Sequence, residues 1–195
     1  MPESLAAFVI AAFALTGSPG PATLGLSAAA AAFGMRRSLA LMTGIIVGVL
    51  IVFAAAEAGL TGLILAQPLL GPIVKAASVA YMFWLAWSIA SAPPLSDGVS
   101  ADAPSFWGGM FLGVGNPKAY AAMAALTSGF VLAGEPNANA LFKGSILLAV
   151  MVAVDLAWLL AGSGLARVMR KPAWSRVINV TFALALLASV AAGFM

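Results

Sequence analysis

The sequence predicts an all-α integral membrane protein, with six transmembrane helices in a 3+3 inverted repeat and helices 1 and 4 broken at Pro/Gly motifs. Three observations predict it. The chain is 63% hydrophobic and only 8% charged, against roughly 25% charge in a soluble domain, so lipid must be the solvent around most of it. Six apolar segments, 4–33, 39–66, 72–91, 105–134, 140–166 and 173–194, meet the roughly 20 residues that a bilayer core demands. Segments one and four are overlong, and each is interrupted near its middle by glycine and proline.

Segment one begins with an apolar run from Leu5 to Leu15. Glu3 is the only early charge, so the run reads as a first membrane helix and not as a cleaved leader with a basic n-region. Gly17-Ser18-Pro19-Gly20-Pro21 interrupts it. Arg36-Arg37 separates segments one and two, and Gln67-Pro68 with Gly71-Pro72 separates two and three. The stretch 92–104, with Pro93, Pro94, Asp97, Gly98 and Asp102, is the one long loop. It divides a single transmembrane domain, 1–195, into halves of about 1–91 and 105–195. Segment four is interrupted by Gly113-Val114-Gly115-Asn116-Pro117 and ended by Glu135-Pro136-Asn137, and Arg167 to Pro172 ends segment five.

Six spans place Arg36, Arg37, Arg167, Arg170, Lys171 and Arg176 on one side, and Lys75 and Lys143 on the other. Basic residues favour the cytoplasm, so both termini are predicted outside. The net charge of +3 sits at helix ends, which argues for orientation and against nucleic-acid binding. Tyr81, Trp84, Trp87, Trp107, Trp158 and Trp174 are candidate interfacial anchors.

A proline inside a helix costs about 3 kcal/mol or more, and freed backbone groups in lipid must find protein or water. Two such breaks, each opening a three-helix half, match the pattern of a midplane site between discontinuous helices. Pro21 suits the first turn of a new helix, and Asn116 with Pro117 forms a good cap and first residue. The amides near Ala22, Thr23 and Ala119 would then present partial positive charge beside Lys118, which suits an anion. The alternative is a pair of packing kinks. Glu57, Lys118 and Asp155 lie deep in the spans, where each costs about 2.5–3.5 kcal/mol near a helix centre and needs a partner or a wet cavity. Lys118 and Asp155 are candidates to pair, either as a functional couple or as a static one.

The chain has no Cys and no His. That excludes thiol redox chemistry, a Ser–His dyad at Gly162-Ser163-Gly164 and the usual transition-metal sites. No catalytic residue, metal ligand or cofactor is expected. The Gly44/Gly48 and Gly109/Gly113 spacings permit close helix approach, within the bundle first, and leave a homo-oligomer open.

Five ordered motifs resemble one family. Ser18-Pro19-Gly20-Pro21-Ala22-Thr23-Leu24 with Gly34-Met35-Arg36-Arg37, then Gly44 and Gly48, Val79 to Trp87, Asn116-Pro117-Lys118, and Asp155-Leu156-Ala157-Trp158 are similar to the signatures of the lysine-exporter/homoserine–threonine-exporter (LysE/RhtB) family. Tyr81 to Pro93, Asp97-Gly98 and Ser105-Phe106-Trp107 look closest to its cysteine/O-acetylserine branch. The resemblance implies export of an amino acid or its relative across a bacterial inner membrane, in exchange for protons. Two departures stand out: Ala22 replaces the family's Asn, and Val49 replaces an Asp that many members carry.

Together these readings predict a substrate site at Gly17, Pro19, Gly20, Pro21, Ala22, Thr23, Asn116, Pro117, Lys118 and Ala119. The substrate carboxylate would meet the helix N-termini and Lys118, and the ammonium would meet Asp155 or carbonyls near Gly17 and Gly115. Asp155, with Glu57, is the candidate for proton coupling. The expected partners are a small-molecule amino acid and the lipid bilayer. A carrier of another solute, such as a metal cation, and a non-transporting membrane scaffold remain as alternatives.

Overall fold

In a computed structural model, the structure describes residues 2–60, 70–92, 104–165 and 172–192. These form eight helices: α1 Pro2–Gly17, α2 Pro21–Phe33, α3 Met35–Glu57, α4 Leu70–Ala90, α5 Phe106–Val114, α6 Pro117–Gly129, α7 Pro136–Gly164 and α8 Pro172–Ala192. Among the described residues α3, α7 and α8 are each long and apolar enough to cross a membrane, and α1 with α2, bent by 59°, makes a fourth crossing if the pair is one span. The described residues are thus all-helical and suited to a membrane. In lipid a helix satisfies its own backbone groups, which is why nothing else spans alone.

Both interrupted segments are broken where the sequence places the breaks. α1 gives way to α2 at Ser18–Gly20, and α5 to α6 at Gly115–Asn116. Several boundaries differ from those read from composition. The break between α2 and α3 is Gly34, at φ 87°, a left-handed conformation that only glycine adopts without strain. Arg36 and Arg37 therefore lie within the exposed first turn of α3 rather than between helices. α6 stops at Gly129, and α7 begins at Pro136, four residues earlier than hydropathy suggests. Glu135 explains the early start. Its carboxylate accepts from the Asn137 amide at 3.0 Å and the Ala138 amide at 2.6 Å, an N-cap with Pro136 in the first turn. The motif that seemed to end one helix begins the next. Arg167, Arg170, Lys171 and the 93–103 part of the loop lie outside the described residues.

α2 is the hub. Eleven of its thirteen residues are buried, and it packs against α3, α4, α5, α7 and α8. Its Ala28–Ala32 run makes this contact possible, because small side chains let neighbouring backbones come close. Gly162 of α7 lies directly against the Ser27 backbone. The most extensive crossing is that of α3 with α5. A methyl group at Gly113 would fall 2.7 Å from the Ile45 carbonyl oxygen and 3.0 Å from Gly48 Cα. The two GxxxG spacings thus pack against each other inside one molecule. α3 also packs against α6, and α7 packs against both α1 and α2.

Candidate functional site

The break between α1 and α2 brings together a lysine from α6 and an aspartate from α7. Lys118 donates from Nζ to the Ser18 carbonyl, which lies where helix α1 ends and also accepts from Thr23 Oγ1 at 3.5 Å. Gly20 permits this approach: a Cβ there would lie 3.0 Å from Lys118 Cδ and 3.2 Å from Nζ. The Gly20 amide donates to Thr23 Oγ1 at 2.9 Å. No side chain caps the first turn of α2, so the Ala22 and Thr23 amides keep the partial positive charge of a helix N-terminus.

α6 begins differently. Asn116 Oδ1 accepts from the Lys118 amide at 3.1 Å, and the Asn116 carbonyl accepts from the Ala119 amide at 2.9 Å. Of the two helix N-termini, α2 is open and α6 is largely satisfied by its own cap. The Gly17 carbonyl is also occupied, by Trp158 Nε1 at 3.1 Å. That bond ties the end of α1 to α7.

These groups surround a cavity of ≈ 50 Å³ lined by Thr16, Gly20, Ala22, Thr23, Asn116, Lys118, Ala119 and Asp155, with Leu15, Ile45, Val49, Ala122, Met123 and Met151 supplying apolar surface. Asp155 is buried, and its Oδ2 has no hydrogen-bond partner. Lys118 and Asp155 thus share a cavity without forming an ion pair. Gly17, Pro19, Pro21 and Pro117 shape the surrounding backbone but do not line the cavity. A cation, an open helix N-terminus and an unpartnered carboxylate match the two charged ends of a zwitterion. The free space is small, since an engineered cavity of about 150 Å³ is what holds a benzene ring. An amino acid needs more room than this, so the helices must part to admit one.

Glu57 lies elsewhere. It forms an ion pair with Lys143, Oε1 to Nζ 2.6 Å, and Lys143 is only 1% exposed. Lys143 also donates to the Thr127 carbonyl at 3.0 Å and the Phe130 carbonyl at 3.3 Å, satisfying the end of α6. The sequence reading counted Lys143 as a loop charge and missed its burial. Its place between apolar neighbours in α7, together with a Glu57 in need of a partner, was the available signal. Among the described residues no three His, Cys, Asp or Glu side chains group to hold a metal.

Comparison with known proteins bears on this arrangement. The family model of the LysE type translocator matches residues 13–195. The cysteine/O-acetylserine efflux protein of Escherichia coli K12 is 30% identical over 187 residues, 95% of each chain, and that of Shigella sonnei matches to the same extent. The protein of the same description from Escherichia coli O139:H28 is also 30% identical over 95% of each chain. No solved structure matches. With the match running through both broken helices and the cavity between them, the chain belongs to the LysE-type translocator family, as a multi-pass membrane transporter and not an enzyme.

Proposed function

We propose that the chain is a secondary transporter that exports a small amino acid or derivative, cysteine/O-acetylserine-like or threonine/homoserine-like, by proton antiport. The observation that carries this reading is the cavity where Lys118, the open N-terminus of α2 and the unpartnered Asp155 oxygen converge. The substrate carboxylate meets Lys118 and the Ala22 and Thr23 amides, and the ammonium meets Asp155. The occupied Gly17 carbonyl and the capped start of α6 leave less for those groups to do. Protonation of Asp155 biases the inward- and outward-facing states, which it does only by binding the two states differently.

The architecture in this reading is six spans in two inverted halves. α1–α2, α3 and α4 form the first half; α5–α6, α7 and α8 form the second. Its support is a reciprocal packing: α3 lies against both pieces of the second broken helix, and α7 against both pieces of the first. Both termini lie outside the inner membrane. The relatives' description as efflux proteins supports the direction, since a carrier's geometry is the same for import and export.

Counterflow in proteoliposomes tests the reading. Vesicles loaded singly with unlabelled amino acids are offered labelled cysteine, O-acetylserine, serine, threonine or lysine. Accumulation of one or a few small neutral amino acids is expected. No accumulation of any, with folded protein, transfers the reading to another solute such as a metal cation, or to a scaffold.

A further inference from the structure

Two stripes of side chains lead away from the cavity along the seam between α3 and α7. On α3 they are Ile45, Val49, Phe53 and Glu57; on α7, running the other way, they are Asp155, Met151, Leu147 and Lys143. Each series steps by four residues, which keeps it on one helix face. Ile45, Val49, Met151 and Asp155 line the cavity. About 12 Å further along, at 1.5 Å per residue, Glu57 and Lys143 close the seam with their ion pair. Between the two ends Phe53 and Leu147 are buried. The Phe53 ring lies over Gly144, where a Cβ would be 3.1 Å from Phe53 Cε1. Alongside the seam, from the level of Leu50 and Leu148 to that of Glu57 and Asn137, runs a groove of ≈ 660 Å³ between the same two helices, lined also by Phe53, Gly144 and Ser145.

We propose that Glu57 and Lys143 are positioning residues for transport: they form a latch that holds the outer end of the α3–α7 seam shut, with Phe53 as the plug beneath it. This rests on the transporter reading above, and it adds the route by which the cavity reaches the outside. α3 packs against α5 and α6, and α7 against α1 and α2, so the latch ties together the helix groups on either side of the cavity. Lys143 holds three partners at once, Glu57 and the two carbonyls that end α6, so opening the seam also frees the end of the helix that carries Lys118 in its first turn. A pair whose lysine is buried and whose glutamate is half-buried suits a latch. Its separation leaves charges uncompensated unless water enters with it, and the groove leaves free space beside Glu57. The cavity of ≈ 50 Å³, too small for an amino acid, is what a closed seam leaves.

The absence of native cysteine makes the test direct. A single reporter cysteine, Ala122→Cys, is placed in the cavity wall, and its labelling by a membrane-impermeant maleimide added outside is timed in right-side-out vesicles. Glu57→Gln is expected to speed labelling about tenfold, within the usual range of conformational couplings. The charge swap Glu57→Lys with Lys143→Glu is expected to return it toward the slow rate. Where Glu57→Gln does not fold, the double Glu57→Met/Lys143→Met variant, which leaves no buried charge, is expected to show the same acceleration. Unchanged labelling in the folded latch variants overturns the proposal. A role in stability alone would lower the melting temperature without exposing the reporter. Labelling needs no substrate, so failure of counterflow beside accelerated labelling would reject the amino-acid reading and leave the latch standing.

Discussion

In the transport reading proposed above, Asp155 is the residue on which most of the chemistry turns. It is 5% exposed and has a carboxylate oxygen without a partner, in a setting where such a group needs a ligand, a proton or water. Asp155→Asn keeps the shape and removes the charge, so it is expected to abolish the pH dependence of export measured in vesicles with an imposed proton gradient. Export that keeps its pH dependence in the variant would remove Asp155 from the coupling. Trp158, three residues on, acts on structure. Its bond to the Gly17 carbonyl fixes the end of α1 against α7. Trp158→Phe loses one hydrogen bond, a cost of about 1 kcal/mol in stability, and is expected to slow transport while the protein still melts cooperatively in detergent. Asp155, Lys118 and the proline breaks were legible in the sequence because each is costly in lipid and so asks for a reason. The roles of Gly17 and Lys143 were not, because which carbonyl or carboxylate meets a side chain more than a hundred positions, or eighty-six, away depends on how the helices cross.

The helices themselves were legible from hydropathy, but their ends were set by chemistry of one or two residues. Gly34, at φ 87°, and the Glu135 cap moved two boundaries by several residues. The Ala138 and Asn137 amides hold the Glu135 carboxylate below the usual range, so its contribution to stability is present above the unfolded pKa and is lost as pH falls through the lowered value. Glu135→Gln is expected to flatten the acid side of a melting-temperature profile; an unaltered profile would mean the cap adds nothing. At the α3–α5 crossing a side chain has nowhere to go, since the nearest atoms are backbone. Gly48→Val is therefore expected to destabilise by at least the 1–3 kcal/mol typical of overpacking. The same substitution at Gly129, where no atom lies within 4 Å, meets no such obstacle. Equal melting temperatures for the two would contradict the crossing described.

The two halves of the molecule meet at both ends of one seam, at the cavity and at the Glu57–Lys143 pair. The duplicated plan was suggested by the matched breaks in the sequence. The pairing of each middle helix with the other half's broken helix could not be read there, because hydropathy reports length and not neighbours. The six spans proposed above, with the basic-residue count, predict both termini outside, so reporter fusions at either end are expected to be active only outside the cytoplasm. The most direct measurement is equilibrium binding of labelled cysteine and O-acetylserine to the purified protein, with Gly20→Val as comparison. A side chain at Gly20 intrudes on Lys118 within 3.0 Å and fills the cavity from the α1–α2 break. Saturable binding of either compound by the native chain, weakened about tenfold or more by Gly20→Val, is the expected result. Binding that is unchanged when that space is filled would place the substrate somewhere other than the cavity between the broken helices.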